Sequence, residues 1–251
     1  MHPTFPIRLV SAKALAPTVF HYVFERADGE ALDFVPGQFI QIHFDYADGT
    51  PAKRSYSLAT QHDHAMAPGE CVEFAVSFVP NGRATALFEG LKPADTIQCS
   101  GPYGRFTLNP RDTNRRYLLI GTGTGITPYR SMLPQLAEIM ADRGIEVHLL
   151  QGARTREELL YADDFMAFAA KHPAFHYHPC ISREDVQIDA PNVSVIKGYV
   201  QTALASLSPT ADGDIAYLCG NPDMVDACFA FLKEQGLHIQ YIRREKYVSN
   251  V

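Results

Sequence analysis

Four short stretches combine residue types that suit the handling of nucleotides. Gly121-Thr122-Gly123-Thr124-Gly125-Ile126-Thr127-Pro128 is the richest in glycine. Glycines let a backbone turn tightly and approach a phosphate, and a helix that starts there offers free N–H groups and a positive dipole end. The spacing departs from the usual G-x-G-x-x-G, so a ligand-free glycine turn stays open as an alternative. Cys219-Gly220-Asn221-Pro222-Asp223-Met224 is a second turn of this kind, with Cys219 readable either as a site residue or as a core thiol. In Arg54-Ser55-Tyr56-Ser57-Leu58, a guanidinium can fork onto phosphate, a Tyr ring can stack on a flat ring system, and Ser can donate a hydrogen bond. Taken alone, this stretch is equally a polar strand edge. Asn81-Gly82-Arg83-Ala84-Thr85 opens a helix and offers either a second phosphate site or a simple cap.

These stretches need elements to carry them. The first half reads as short strands over 7–14, 19–25, 39–44, 53–59, 71–78 and 96–100. Turn pairs such as Pro36-Gly37, Asp48-Gly49 and Asn81-Gly82 separate them. In 71–78, Val72, Phe74 and Val76 share one face. A small antiparallel β-barrel or sandwich is expected, interrupted by a helix over 83–90. The second half alternates strand and helix. Strands are expected over 117–121, 145–151, 175–181, 193–196, 215–219 and 239–242. Helices are expected from Ile126 to Gly144, then over 156–171, 199–206 and 223–235. That rhythm predicts an α/β domain with a parallel sheet and helices on both faces. The boundary falls in the polar stretch 109–115, giving domains of 1–110 and 111–251. In an open parallel sheet, loops after neighbouring strands share one crevice, so the two glycine turns of the second half should face each other.

Composition narrows the classes. The 251 residues carry a net charge of −6 and 46% hydrophobic residues, which suits two globular domains and argues against a nucleic-acid partner. No run is long and apolar enough for a membrane span, and the first residues lack the form of a signal peptide. Cys71, Cys99, Cys180, Cys219 and Cys228 include no C-x-x-C pair. This excludes the usual cysteine-bound clusters and fits reduced thiols in a cytoplasmic monomer. His176 and His178 lie on one strand face, but their spacing fixes no third ligand, so no metal site is expected.

In combination the motifs point further. R-x-Y-S at Arg54–Ser57, G-R-A-T at Gly82–Thr85, G-P-Y-G at Gly101–Gly104, G-T-G-T-G-I-T-P and C-G-N-P-D-M occur in the order of the ferredoxin–NADP reductase superfamily, which the chain resembles over about residues 54–247. The resemblance implies an FAD-binding barrel followed by an α/β domain for the nicotinamide nucleotide. It implies that Arg54 holds the flavin pyrophosphate, Tyr56 stacks on the isoalloxazine and Ser57 lies near flavin N5. Leu58 and Val76 would line the flavin, and Gly82, Arg83, Ala84 and Thr85 would form a second phosphate turn. Thr122, Gly123, Thr124, Gly125 and Pro128 would form the pyridine-nucleotide loop. Cys219 would meet the nicotinamide, with Gly220, Asn221, Pro222 and Met224 beside it. Near the end, Glu245-Lys246-Tyr247 resembles the family's carboxyl terminus. Tyr247 would cover the flavin face opposite Tyr56, and Glu245 would lie near the active-site Ser.

The resemblance also implies hydride transfer between NADP(H) and FAD, with single electrons passed to a separate acidic carrier, ferredoxin or flavodoxin. Arg154 and Arg183 match positions near a 2′-phosphate, whereas Gly198-Tyr199 stands where a third Arg often follows Gly. NADPH is therefore expected ahead of NADH. A basic rim of Lys53, Arg243, Arg244 and Lys246 is the candidate docking surface for the carrier. Two alternatives stay open: an NADH-dependent reductase component of an oxygenase or free-flavin reductase, and a non-catalytic electron-transfer subunit.

Overall fold

The computed structural model describes residues 4–46, 48–62, 67, 69–109 and 111–248. By internal contacts the chain divides into two units. The first comprises the residues up to Leu108 together with Thr127–Met132; the second comprises Asn109–Ile126 and the chain from Leu133 onward.

The first unit holds β1 (Thr4–Ala16), β2 (Val19–Arg26), β3 (Phe39–Asp45), β4 (Pro51–Ser57), β5 (Cys71–Ser77), α1 (Arg83–Gly90) and β6 (Thr96–Tyr103). The strands pair antiparallel in the order β4-β3-β6-β1-β2-β5. The ends of that order meet through a bridge between Leu58 and Phe74, giving the sheet its barrel-like closure. Alternation explains the core. Tyr22 and Phe24 on β2, Val72, Phe74 and Val76 on β5, and Ile40 and Ile42 on β3 all turn inward and are buried. Phe74 is central: its ring lies 5.3 Å from those of both Phe24 and Tyr56 and 6.0 Å from that of Phe88 on α1.

The second unit holds β7 (Arg116–Thr122), α2 (Thr127–Arg143), β8 (Glu146–Ala153), α3 (Ala162–Lys171), β9 (Phe175–Ile181), β10 (Ile196–Lys197), α4 (Val200–Ser206), β11 (Asp214–Gly220), α5 (Pro222–Glu234) and β12 (Ile242–Lys246). The first six residues of α2 group with the first unit. The strands form a parallel sheet in the order β10-β9-β8-β7-β11-β12. One face, through Leu118, Ile120, Leu150, Cys180, Ala216 and Leu218, packs on Ala203 and Leu204 of α4 and Val225, Cys228 and Leu232 of α5. Residues of the opposite parity meet α3, with Phe165 against Tyr177 at 5.6 Å and Phe168 against Phe175 at 4.8 Å. Helices thus cover both faces, as expected for buried parallel strands. α2 ends where Gly144 takes a left-handed φ of 62°, a conformation that favours glycine.

Three expected elements differ. The helix expected over 156–171 is broken: a short 3-10 turn spans Arg156–Glu158, Tyr161 takes φ 58°, and α3 begins only at Ala162. Leu159 and Leu160 are buried on the way, so the apolar pattern that suggested one helix is shared between a turn and a helix. The strand expected over 193–196 shrinks to β10, with Val193 making only an isolated bridge to Tyr177. The strand expected over 239–242 is a 3-10 turn, Ile239–Tyr241, followed by β12 at positions whose charged residues hid it.

One ion pair anchors the start of the sheet. Arg116 donates from Nε and Nη2 to the two carboxylate oxygens of Asp214, at 2.9 and 2.6 Å, and Asp214 also accepts from the N–H of Thr210. Asp214 is 3% exposed. Removing it leaves the Arg116 guanidinium without its counter-charge and the Thr210 amide without its acceptor. Asp214→Ala should therefore cost about 3–5 kcal/mol, read as a lower urea midpoint with the slope of the transition unchanged.

Candidate functional site

In the first unit, β3 and β4 carry the Arg54–Leu58 stretch. Arg54, paired in register with Ile42, reaches the hydroxyl of Tyr46 at 3.4 Å. Arg83, the first residue of α1, lies over the ring of the same Tyr46 at 3.9 Å. Two motif arginines, 29 positions apart, are thus gathered on one tyrosine that no motif contains. Phe44, Asp45, Tyr46, Asp48, Arg83, Ala86 and Leu87 line a cleft of about 540 Å³ there. α1 begins at Gly82 with no side-chain cap and no acidic residue in its first turn. A Cβ at Gly82 would lie 2.8 Å from both Thr85 Oγ1 and Val79 O. A cleft lined by Arg83 and by the tyrosine that Arg54 reaches, beside an uncapped helix start, fits a pyrophosphate. Tyr56 is half-buried, with one side packed on Phe74 and Phe88 and burial pushing its hydroxyl pKa upward. Ser57 is buried at the end of β4.

Four residues expected to contact a ligand in this unit turn their side chains elsewhere. Leu58 and Val76 are 0% and 1% exposed, so their side chains fill the barrel core and leave only main chain for a ligand. Thr85 does not point its hydroxyl outward: Oγ1 accepts from the N–H of Val79 at 2.9 Å and donates to its carbonyl at 3.2 Å. Ala84 packs against the barrel core.

In the second unit, the loops after β7 and β11 meet, as the sheet order requires. Cys219 pairs in register with Gly121, and the N–H of Asn221 donates to Thr122 Oγ1 at 3.1 Å. The approach is so close that a Cβ at Gly125 would lie 2.4 Å from Cys219 O, and one at Gly220 would lie 2.5 Å from Thr122 O. Gly123, at φ 54°, faces open space, and the turn Gly123–Ile126 runs into α2, whose start has no side-chain cap. Thr124 is half-exposed in that turn, and Pro128 sits in the first turn of α2. Thr127 Oγ1 is buried without a hydrogen-bond partner. Orphan N–H groups beside an open glycine fit a second phosphate group. At the other loop, Asn221 instead caps α5, accepting from the N–H groups of Asp223 and Met224, with Pro222 as the first helical residue. Met224 is core, 6% exposed and 3.8 Å from the Cys228 thiol, so it is not a lining residue.

β12 carries the carboxyl-terminal motif along β11. Cys219 pairs with Glu245 and Gly220 with Lys246, and the N–H of Tyr247 donates to Gly220 O at 2.9 Å. The Tyr247 hydroxyl is hydrogen-bonded to the Cys219 thiol. Cys219 is wholly buried, so the expected open face toward a nicotinamide is covered in this conformation. Burial pushes its thiol pKa well above 9.0, the nearby Glu245 adds to the rise, and Tyr247 opposes it. Burial also raises Glu245, from an ordinary 4.5 to about 7. Of the expected basic rim, Lys246 is paired with Asp226 at 2.7 Å and Arg244 lies over Phe229 at 3.8 Å, while Arg243 and Lys53 are exposed.

At the end of β8, Arg154 is held by Glu158, with Nε at 3.0 Å and Nη2 at 2.5 Å from its carboxylate oxygens. The sequence pattern gave no hint of Glu158. Arg183 follows β9, and its N–H donates to Arg154 O at 2.8 Å. Its charge helps Arg154 hold the Glu158 carboxyl below its ordinary range.

Comparison with known proteins identifies the two domains. Residues 6–108 match the oxidoreductase FAD-binding domain and residues 119–229 the oxidoreductase NAD-binding domain. The chain is 32% identical over 250 residues to ferredoxin–NADP reductase B of Sorangium cellulosum, covering 97% of both chains. It is 33% identical over 221 residues to the reductase component of propane 2-monooxygenase from Rhodococcus jostii, covering 86% of this chain and 56% of that protein. The crystal structure of a cytochrome P450 reductase from Amycolatopsis superposes with a TM-score of 0.81 at 29% identity, over 98% of this chain and 71% of that one. Fold and domains together define a flavin- and pyridine-nucleotide-binding oxidoreductase. The chain belongs to the ferredoxin reductase-like superfamily.

Glu245 has a measurable consequence for stability. Its folded pKa lies above that of the unfolded chain, so the folded state keeps the proton longer. The stability this proton carries is fully present below pH 4.5 and is lost as pH rises through about 7. Glu245→Gln should abolish that slope and leave the protein more stable than wild type at pH 8, by up to about 3 kcal/mol. Denaturant titrations at pH 4.5 and pH 8 check it; parallel pH profiles would refute the shift.

Proposed function

We propose that the chain moves electrons between NADP(H) and a separate one-electron carrier, a ferredoxin or flavodoxin, through bound FAD. The observation that carries this reading is the carboxyl-terminal segment laid along β11, with Tyr247 on the Cys219 thiol and Glu245 beside it. The Sorangium relative, which the chain matches over nearly its whole length, supports it. Bound FAD supplies the chemistry that links a hydride to single electrons.

The chain's own residues hold and orient. Arg54 and Arg83, steadied by Tyr46, take the flavin pyrophosphate together with the uncapped start of α1 at Gly82. Tyr56 offers its free ring face to the isoalloxazine, and Ser57 lies near the reacting edge. Thr122, Gly123, Thr124 and Gly125 cradle the phosphates of the pyridine nucleotide. Tyr247 covers Cys219 and must swing off it before a nicotinamide reaches that thiol, so nucleotide binding is coupled to displacement of an aromatic ring. Glu245 changes charge near neutral pH beside that thiol. The acidic carrier docks on the basic side chains of β12, Arg243, Arg244 and Lys246, where steering falls with salt.

Arg183 beside Arg154 supports NADPH. A second reading, an NADH-dependent reductase component of an oxygenase, has an observation of its own. Glu158 neutralises Arg154, and an acid near the end of a strand suits a ribose hydroxyl and repels a 2′-phosphate. The Rhodococcus relative is a protein of that kind.

Purified protein should be yellow and should bleach anaerobically with NADPH; added ferredoxin or flavodoxin should then restore the colour as it is reduced. A colourless protein, or one that bleaches only with NADH and passes nothing to either carrier, would overturn the proposal. Arg183→Ala should lower kcat/KM for NADPH at least about tenfold, about 1.4 kcal/mol, and leave NADH unaffected. Equal losses for both nucleotides would remove Arg183 from 2′-phosphate recognition.

A further inference from the structure

Glu146, His148 and His176 come together at the end of the parallel sheet opposite the glycine loops. Their placement follows from strand geometry. Glu146 and His148 are two apart on β8 and so share one face, and His148 pairs directly with His176 on β9. Two imidazoles, His176 and His178, are expected from sequence on one face with no third ligand; the neighbouring strand β8 brings Glu146 and His148 to His176, and His178 stands outside the set. Glu146 Oε1 lies 3.2 Å from Nε2 of both histidines, and the three atoms all fall within 4.8 Å of one another.

We propose that Glu146, His148 and His176 form a binding site for Zn²⁺, with water as the fourth ligand. Zinc takes His nitrogen and carboxylate oxygen at about 2.0–2.2 Å in a tetrahedron, whose edges are then about 3.3–3.5 Å. The two 3.2 Å separations already approach that edge. His148 is 8% exposed, and its buried Nε2 faces the Glu146 carboxylate oxygen, so the two donors converge on one point. Its other nitrogen, Nδ1, is 3.0 Å from Nε2 of His178, whose ring stacks at 5.2 Å. With Nδ1–H donating to His178, the Nε2 lone pair of His148 points to the metal, the arrangement by which an outer residue fixes the tautomer of a ligating histidine. Glu146 and His176 remain partly exposed and give the ion a way in. Mixed imidazole and carboxylate donors suit Zn²⁺ and not Mg²⁺ or Ca²⁺.

The site lies six residues along β8 from Arg154, about 20 Å at the rise of an extended strand. A bound ion would therefore tie β8 to β9 without touching the nucleotide loops. Calorimetry of the flavin-loaded protein with ZnCl₂, after chelator treatment, should give one ion per chain with a dissociation constant in the micromolar range or below. The melting temperature should rise with Zn²⁺ and not with MgCl₂. His148→Gln, His176→Gln and Glu146→Gln should each weaken Zn²⁺ binding at least tenfold, while KM for NADPH stays within twofold. Glu146 is half-exposed, so its variant tests the site without disturbing the core. Absence of saturable binding to the wild type, or binding unchanged in the Glu146 and His176 variants, would overturn the assignment.

Discussion

The close approach of β7 and β11 at their carboxyl ends is the constraint on which the second unit depends. Main chain meets main chain there, and glycine is the only residue that permits it. At Gly125 and Gly220 an added Cβ would fall 2.4 and 2.5 Å from main-chain oxygens of the facing loop. Because those positions carry no side chain, the register Cys219↔Gly121 can hold and Asn221 can reach Thr122. The same register sets β12 along β11, so that Glu245 falls beside Cys219 and Tyr247 folds back to Gly220. One packing condition, satisfied by absent atoms, thus governs the turn, the thiol and the carboxyl-terminal segment together.

The first unit is organised by a different economy. Its core is aromatic, with Tyr22, Phe24, Phe74 and Phe88 in mutual contact, and Tyr56 is the ring that leaves the core partly exposed. A tyrosine half inside a rigid aromatic cluster has little freedom left to lose when a planar ligand covers its outer face. Tyr46 plays the corresponding part for charge. It engages the guanidiniums of both Arg54 and Arg83 and limits their motion.

Elements with a strong period were readable from sequence. β9 and α1 have the expected bounds, and the glycine loops sit at strand ends as their flanking patterns required. What escaped was set by contacts distant in sequence. Tyr46 and Glu158 belong to no motif, and only folding brings them to Arg54, Arg83 and Arg154. Leu58, Val76 and Met224 lie inside motifs yet face the core, because strand or helix parity and not motif membership decides direction. β12 was hidden because Arg243, Arg244 and Lys246 give it the look of a loop, whereas its pairing to β11 is made by main chain.

That charged composition has a consequence for the free protein. β12 ends one side of the parallel sheet and β10 the other, and the outer main-chain groups of each are a template for a further strand. β10 is only two residues long, too short to recruit a neighbour. β12 is longer but bears Arg243, Arg244 and Lys246, whose like charges repel a second copy brought alongside. Lys246 on Asp226 and Arg244 on Phe229 keep two of these side chains anchored at that border. Solubility at high concentration is therefore built into the same strand that delivers Glu245 and Tyr247, and exchanging its basic residues for apolar ones would invite edge-to-edge assembly.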